Sequence, residues 1–220
     1  MTGDDSRPEL IYVGDPLCSW CWGFAPSLRK LRLKHPDRFR YRLLVGGLRT
    51  GASAPQIDER VRTYLAGAWK EVERRSGQPF NHDFLETADF VYDTEPACRA
   101  VVAARRLEPG RVFEYNEALQ DAFYRRSFDP TSRETFVTVA RELGLPEQPF
   151  QEALDSDEVH RQTRADFDEA RAMNVHGFPT LLVRVDGTTQ PVVRGWLPPE
   201  ALNDQLAPWL GRLSSSSRQA

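Results

Sequence analysis

The chain has little of what would tie it to nucleic acid, to a membrane or to a disulfide framework. It carries 29 Lys+Arg against 32 Asp+Glu over 220 residues, a formal net charge of -3. No basic excess is left for a phosphate backbone, and no block of like charge forms a binding tail. Lysine is confined to Lys30, Lys34 and Lys70. The other cations are arginines, and their number is read as a compositional preference rather than a binding signal. No run approaches the roughly 18 apolar residues of a membrane span. Residues 1–9 are polar and acidic, without the apolar stretch of a secretory leader. The expectation is a cytoplasmic protein with no nucleic-acid or membrane partner. Cysteine is scarce as well: Cys18, Cys21 and Cys98 are the only three. Three thiols do not make a structural disulfide framework, and a chain of this length buries enough surface to fold without one.

What is present is a globular pattern that changes character twice. Leu10 to Val13 is a short β-rich apolar run stopped by Gly14-Asp15-Pro16, and reads as a buried strand and a turn. Apolar residues at Trp22, Ala25, Leu28, Leu31 and Leu33 then keep roughly helical spacing up to His35-Pro36. Alternation from Phe39 to Gly46 predicts a second strand. From Pro55 to about Met173 the β signal fades, and 56–75, 95–108, 111–126, 132–144 and 157–173 read as amphipathic helices. Ser132 offers an N-cap and Gly144 a C-cap. Strand signals return at 180–185, with Asp186-Gly187 as a hairpin turn, 191–194 as the return strand and a last helix from Pro198 to about Leu210. No internal repeat is visible. The order is β-α-β, a helical block, then β-β-α, which can form one sheet with helices on both faces.

The chemistry lies in Cys18-Ser19-Trp20-Cys21, placed where a strand and turn open a helix. A sulfur at a helix N-cap faces unpaired N–H groups and the positive end of the macrodipole, and both favour thiolate over thiol. Cys18 is therefore the expected nucleophile. Cys21, one turn on, is placed to displace a mixed disulfide.

The segment Asp15-Pro16-Leu17-Cys18-Ser19-Trp20-Cys21-Trp22-Gly23 resembles the Asp-Pro-x-Cys-Pro-Trp-Cys motif of the cytoplasmic FrnE-like branch of the DsbA family. Pro26 matches the helix-kinking proline of thioredoxins, and Gly177-Phe178-Pro179-Thr180 matches the place of that fold's cis-proline. The resemblance covers nearly the whole chain. It implies an α/β, thioredoxin-like fold with a large inserted all-helical domain. Its parts would be a thioredoxin-like first part over 8–50, the helical insertion over 51–173, a second thioredoxin-like part over 174–212 and a disordered tail over 213–220. Taken alone, Pro179 reads as a trans proline that starts a strand. The resemblance implies a cis bond there, with Phe178 and Pro179 forming a substrate-docking edge. Ser19 departs from the motif's proline at a position that tunes redox potential in this family, and Phe178 is bulkier than the usual residue before the cis-proline.

The remaining candidates divide between chemical and structural readings. Trp20, inside the motif, is expected to face substrate, whereas Trp22 and Phe24 read as helix core. Cys98 is either a small buried hydrophobe or a third thiol that exchanges with Cys18. His176 is either a surface-loop histidine or a perturber of the thiolate. His35, His82 and His160 show no partner in the sequence. The acidic clusters Glu71/Glu73 and Asp155/Asp157/Glu158 read as solvated faces and helix-start charges.

The leading functional expectation is a thiol–disulfide oxidoreductase or isomerase that acts on disulfide- or thiol-bearing proteins or small molecules. It would need no organic cofactor and would be recycled by glutathione or a thioredoxin system. One alternative is a glutathione-dependent transferase or isomerase of the kappa or hydroxychromene-carboxylate isomerase type, where a serine usually replaces the first cysteine. The other is a metal-binding Cys-x-x-Cys module, disfavoured because one such motif supplies two ligands and no second motif or His pair accompanies it.

Overall fold

The computed structural model describes residues 7–216. A four-stranded sheet is built from β1 (Glu9–Gly14), β2 (Arg40–Val45), β3 (Thr180–Val185) and β4 (Thr188–Arg194), in the order β2-β1-β3-β4. β1 and β2 are parallel, with Gly14 opposite Val45, and are joined by the helix α1 (Ser19–Lys34). β3 runs antiparallel to both β1 and β4. β4 is an edge strand, which is where a proline such as Pro191 is tolerated. The β3–β4 register slips between Leu181 and Leu182. The hairpin turn is made by Asp186 and Gly187, with φ of 49° and 74°, the left-handed pair that a type I′ turn requires.

Between β2 and β3 lie α2 (Glu59–Ser76), α3 (Phe84–Thr87), α4 (Glu95–Leu107), α5 (Val112–Tyr124), α6 (Arg133–Glu142), α7 (Glu147–Asp155) and α8 (Asp157–Ala172). Ser132 caps α6 by accepting from the Glu134 N–H, and Gly144 follows its end with φ 70°. The chain closes with α9 (Pro199–Ser216). This helix continues past Leu210 through the first four residues of the expected disordered tail; the rest of that tail, 217–220, lies outside the described residues.

Strand alternation divides the core. Leu10, Tyr12, Leu43, Val45, Leu181 and Val183 face the large cluster shared with α1, α2, α4 and α5. Ile11, Val13, Leu44 and Leu182 face the opposite way, against Ala170 at the end of α8 and Val175. An ion pair with a buried carboxylate ties two helices to the sheet. Arg105 of α4 meets Asp166 of α8 through two bonds of 2.7 and 2.9 Å, and also donates to the Leu43 carbonyl at 2.8 Å. The Val45 N–H donates to the same carboxylate at 3.1 Å. Burial pushes the Asp166 carboxyl up, and the bonds and charge of Arg105 pull it back. Every strong acceptor of the pair is thereby occupied, which is what a buried charge demands.

Candidate active site

Cys18 is the N-cap of α1, in extended backbone, and its own side chain makes no cap bond. Its carbonyl accepts from the N–H groups of Cys21 and Trp22, at 2.9 and 3.1 Å, so the motif is the first turn of the helix itself. Cys18 is 6 % exposed and its thiol donates to the Phe178 carbonyl at 3.7 Å. The Phe178–Pro179 peptide bond is cis. Phe178 reaches this position because Gly46 has no side chain: a Cβ there would lie within 3.0 Å of the ring. Gly195, after β4, donates to the Pro179 carbonyl at 2.8 Å. Strands β2, β3 and β4 thus all converge on the loop that faces Cys18.

Cys21 is fully buried. Burial pushes its thiol well above the usual range, and the bond and charge of Cys18 add to this. The Tyr12 hydroxyl and the Asp15 backbone N–H oppose it, since both donate to the Cys21 sulfur and favour its thiolate. Tyr12 stands on β1 with its ring over Gly14, where a Cβ would lie within 3.0 Å of the phenol. Burial also pushes the Tyr12 phenol well up, so it stays protonated as a donor. Its ring stacks on Phe24, at 6.3 Å between centroids.

Asp15 organises the turn that delivers Cys18. It is 1 % exposed. Its carboxylate accepts from Leu17 N–H at 2.9 Å, Leu48 N–H at 2.7 Å, the Thr94 hydroxyl at 2.8 Å and the Cys98 thiol at 3.4 Å. Burial pushes its carboxyl up while these four bonds hold it down. The Tyr92 hydroxyl donates to the Leu17 carbonyl beside it, and the Arg49 guanidinium lies 5.0 Å over the Tyr92 ring. Cys98, at the start of α4, is fully buried, and burial and then the Asp15 charge push its thiol well up. The structure therefore seats Cys98 as a proton donor to Asp15.

Trp22 and Phe24 are core residues; Trp22 stacks on Tyr124 at 6.2 Å and donates to the Pro79 carbonyl at 3.1 Å. Ser19 and Trp20 are half-buried at the head of α1. The Arg75 guanidinium lies over the Trp20 ring, 5.2 Å from its centroid. His176 is exposed and pairs with Asn174 at 2.7 Å. The other histidines do have partners, supplied by distant elements: His35 meets Asn203 at 2.9 Å, His82 meets Glu73 at 3.0 Å and His160 meets Arg99 at 2.6 Å. Among the described residues no group of three or more His, Cys, Asp or Glu is arranged to hold a metal ion.

Sequence reasoning missed Tyr12, Asp15, Tyr92 and Tyr124 as neighbours of the thiols. Asp15 had one legible signal, its place in the Asp-Pro motif. The tyrosines had none, because their role depends on how far the ring reaches across the packed core.

A strand that leads into a Cys-x-x-Cys at a helix N-terminus, with a cis-proline loop from the antiparallel neighbour facing the first sulfur, defines a thioredoxin-like fold. The model of the DSBA-like thioredoxin domain family matches residues 9–207, and the chain belongs to that family. Among solved structures it is similar to a protein from Nitrosomonas europaea provisionally described as a protein disulfide isomerase. That match has 35 % identity and a TM-score of 0.86 over 94 % of this chain and 98 % of the other. It is also similar to the cytosolic disulfide reductase DsbM of Pseudomonas aeruginosa, at 27 % identity and a TM-score of 0.74 over 96 % and 100 %. DsbM with GSH matches at 25 % identity and 0.72 over 96 % and 99 %. Among curated proteins, the ClpXP adapter protein SpxH of Halalkalibacterium halodurans is 25 % identical over 193 residues, 86 % of this chain. The match spans 62 % of that relative's length. No described helix is long and apolar enough to cross a membrane.

Proposed function

We propose that this chain is a cytoplasmic thiol–disulfide oxidoreductase, with Cys18 as nucleophile and Cys21 as resolving thiol. The observation that carries the reading is the asymmetry of the pair. Cys18 sits at the helix N-cap, 3.7 Å from the Phe178 carbonyl, and keeps a small exposure. Cys21 is sealed behind it with donors on its sulfur. The Cys18 thiolate attacks one sulfur of a substrate disulfide; the S–S bond breaks, and the departing sulfur leaves as thiolate and takes up a proton. Cys21 then gives up its proton and attacks the Cys18 sulfur, which releases the second substrate thiol. Two electrons pass to the substrate and the pair is left as a disulfide, to be reduced by glutathione or a thioredoxin system. Run backwards, the same steps oxidise a dithiol. Trp20, Phe178 and Pro179 are the surfaces proposed to meet substrate. The family, the DsbM neighbour and the Nitrosomonas neighbour support this reading.

The test is a titration of the Cys18–Cys21 couple in glutathione redox buffers, followed by tryptophan emission. A reversible two-electron transition is expected. A midpoint near about -120 mV would make the protein a DsbA-like oxidant, and one near about -270 mV a thioredoxin-like reductant. Absence of any reversible couple overturns the proposal. The name of the curated relatives favours a second reading, an adapter that binds a partner protein without turning over its thiols. A reversible couple together with steady-state disulfide turnover decides against that reading.

A further inference from the structure

Arg75, on the last turn of α2, lies between two indoles: its Cζ is 5.2 Å from the Trp20 centroid and 5.0 Å from the Trp196 centroid. The arrangement is built in from three sides. Trp20 belongs to the Cys-x-x-Cys turn. Trp196 follows Gly195, which is bonded to Pro179, and its indole N–H donates to the Gly23 carbonyl at 2.9 Å. Gly23 lets α2 press against α1: a Cβ there would lie 2.7 Å from Val72 and 3.2 Å from Ser76. The cation is thus held beside the thiols by the motif, the helical block and the segment after β4 together.

Ring faces hold a guanidinium by its π surface and leave its five N–H donors at the edge, the fork that matches a carboxylate. Arg75 is exposed, and no carboxylate is hydrogen-bonded to it among the described residues; its charge reaches Glu71 only as a minor influence behind Arg74. The nearest acid in its own helix, Glu71, is chelated by Arg74 through bonds of 2.8 and 2.9 Å. Its neighbour Arg74 is committed to Glu71, whereas Arg75 is placed by the two indoles, one of them inside the Cys-x-x-Cys turn.

We infer that Trp20, Arg75 and Trp196 form a carboxylate-binding subsite that selects anionic thiol and disulfide substrates. The inference rests on the redox reading for what happens to the bound sulfur, but not for the binding itself. Two sources share the chemistry: a small carboxylate-bearing thiol such as glutathione, and a protein segment with Asp or Glu beside its cysteine.

The test separates binding from redox chemistry. S-methylglutathione carries the carboxylates on an unreactive sulfur, and its binding is followed by the emission of Trp20 and Trp196. The wild type is expected to bind it, Arg75→Gln to bind at least tenfold more weakly, and Arg75→Lys to fall between. The diethyl ester, without carboxylates, should bind the wild type and Arg75→Gln equally. An S-methylated cysteine peptide flanked by glutamates, run beside its glutamine twin, tells the protein source from the small one. In turnover, Arg75→Gln should lose kcat/KM for glutathione disulfide while keeping it for neutral hydroxyethyl disulfide. Equal affinity of wild type and Arg75→Gln for both anionic probes overturns the subsite, as does an equal loss with the ester or with the neutral disulfide. A wild type that binds S-methylglutathione through Arg75 yet turns over no disulfide leaves the subsite standing and removes the redox reading instead.

Discussion

Cys21 and Cys98 are both fully buried thiols, and burial pushes both well above the usual thiol range. They differ in the groups each sulfur faces. The Cys21 sulfur lies against Cys18, whose bond and charge disfavour its thiolate, but receives the Tyr12 hydroxyl and the Asp15 N–H, so a thiolate formed there is partly compensated. The Cys98 sulfur receives the Gly47 N–H but faces the Asp15 carboxylate, and only its protonated form can donate there. Burial alone therefore does not tell a thiol whose thiolate is compensated from one held protonated. The polarity of the partners does, because a low-dielectric interior amplifies whatever groups face the sulfur.

The comparison can be broken or sharpened by substitution. Cys18→Ser should have the largest effect, lowering disulfide turnover by at least about a thousandfold, since it removes the nucleophile while leaving the fold; steady-state reduction of a fluorogenic disulfide reads this directly. Next is Tyr12→Phe, which deletes one of the two donors at Cys21. A hydrogen bond to a charged group is worth about 1.5–3 kcal/mol, so resolution should slow about tenfold or more, and the Cys18 mixed disulfide should accumulate in quenched samples read by mass spectrometry. An unchanged mixed-disulfide lifetime would show that Tyr12 plays no part in resolution.

Asp15→Asn tests the other side of the comparison. It sets an amide NH2 or a weaker acceptor against four donors and should cost about 1–3 kcal/mol in urea unfolding. Its pH dependence has a definite sign. Burial raises the folded carboxyl, so the folded chain holds the Asp15 proton to higher pH than the unfolded chain does. That contribution is complete below the ordinary carboxylate range, near about 4, and is lost as pH rises through the folded value. The stability advantage of wild type over Asp15→Asn should therefore shrink from acidic to neutral pH; an advantage that grew with pH would contradict the assignment. Cys98→Ala should have the smallest effect, about 1 kcal/mol for one lost donor, with no shift of the Cys18–Cys21 midpoint. A shifted midpoint would put Cys98 into the redox chemistry after all.

Much of the scaffold was legible because it rests on local rules. The apolar run of β1, the alternation in β2, the helical spacing after Cys21, and Asp186-Gly187 with two left-handed residues all act within a few positions of themselves. The misses have equally local reasons. Helix α7 lies outside the segments read as helical; it contains Pro149 and follows Pro146, and a proline in a first helical turn removes only an N–H that has no partner anyway. Strand β4 begins at Thr188 rather than 191, since Thr188-Thr189-Gln190 has no apolar alternation and gains its pairing from β3.

The site was legible in its covalent part. The spacing of Cys18 and Cys21, their position after a strand and turn, and Phe178-Pro179 ahead of β3 were determined by the sequence itself, because a helix turn and a strand start are specified by neighbouring residues. What only the tertiary structure decided is what each sulfur faces. Tyr92 reaches Leu17 across 75 positions, Cys98 reaches Asp15 across 83, and Phe178 reaches Cys18 across 160. No local pattern encodes such pairings. They arise when apolar burial closes the core, and polar groups carried inside must then find partners among whatever the packing has placed nearby.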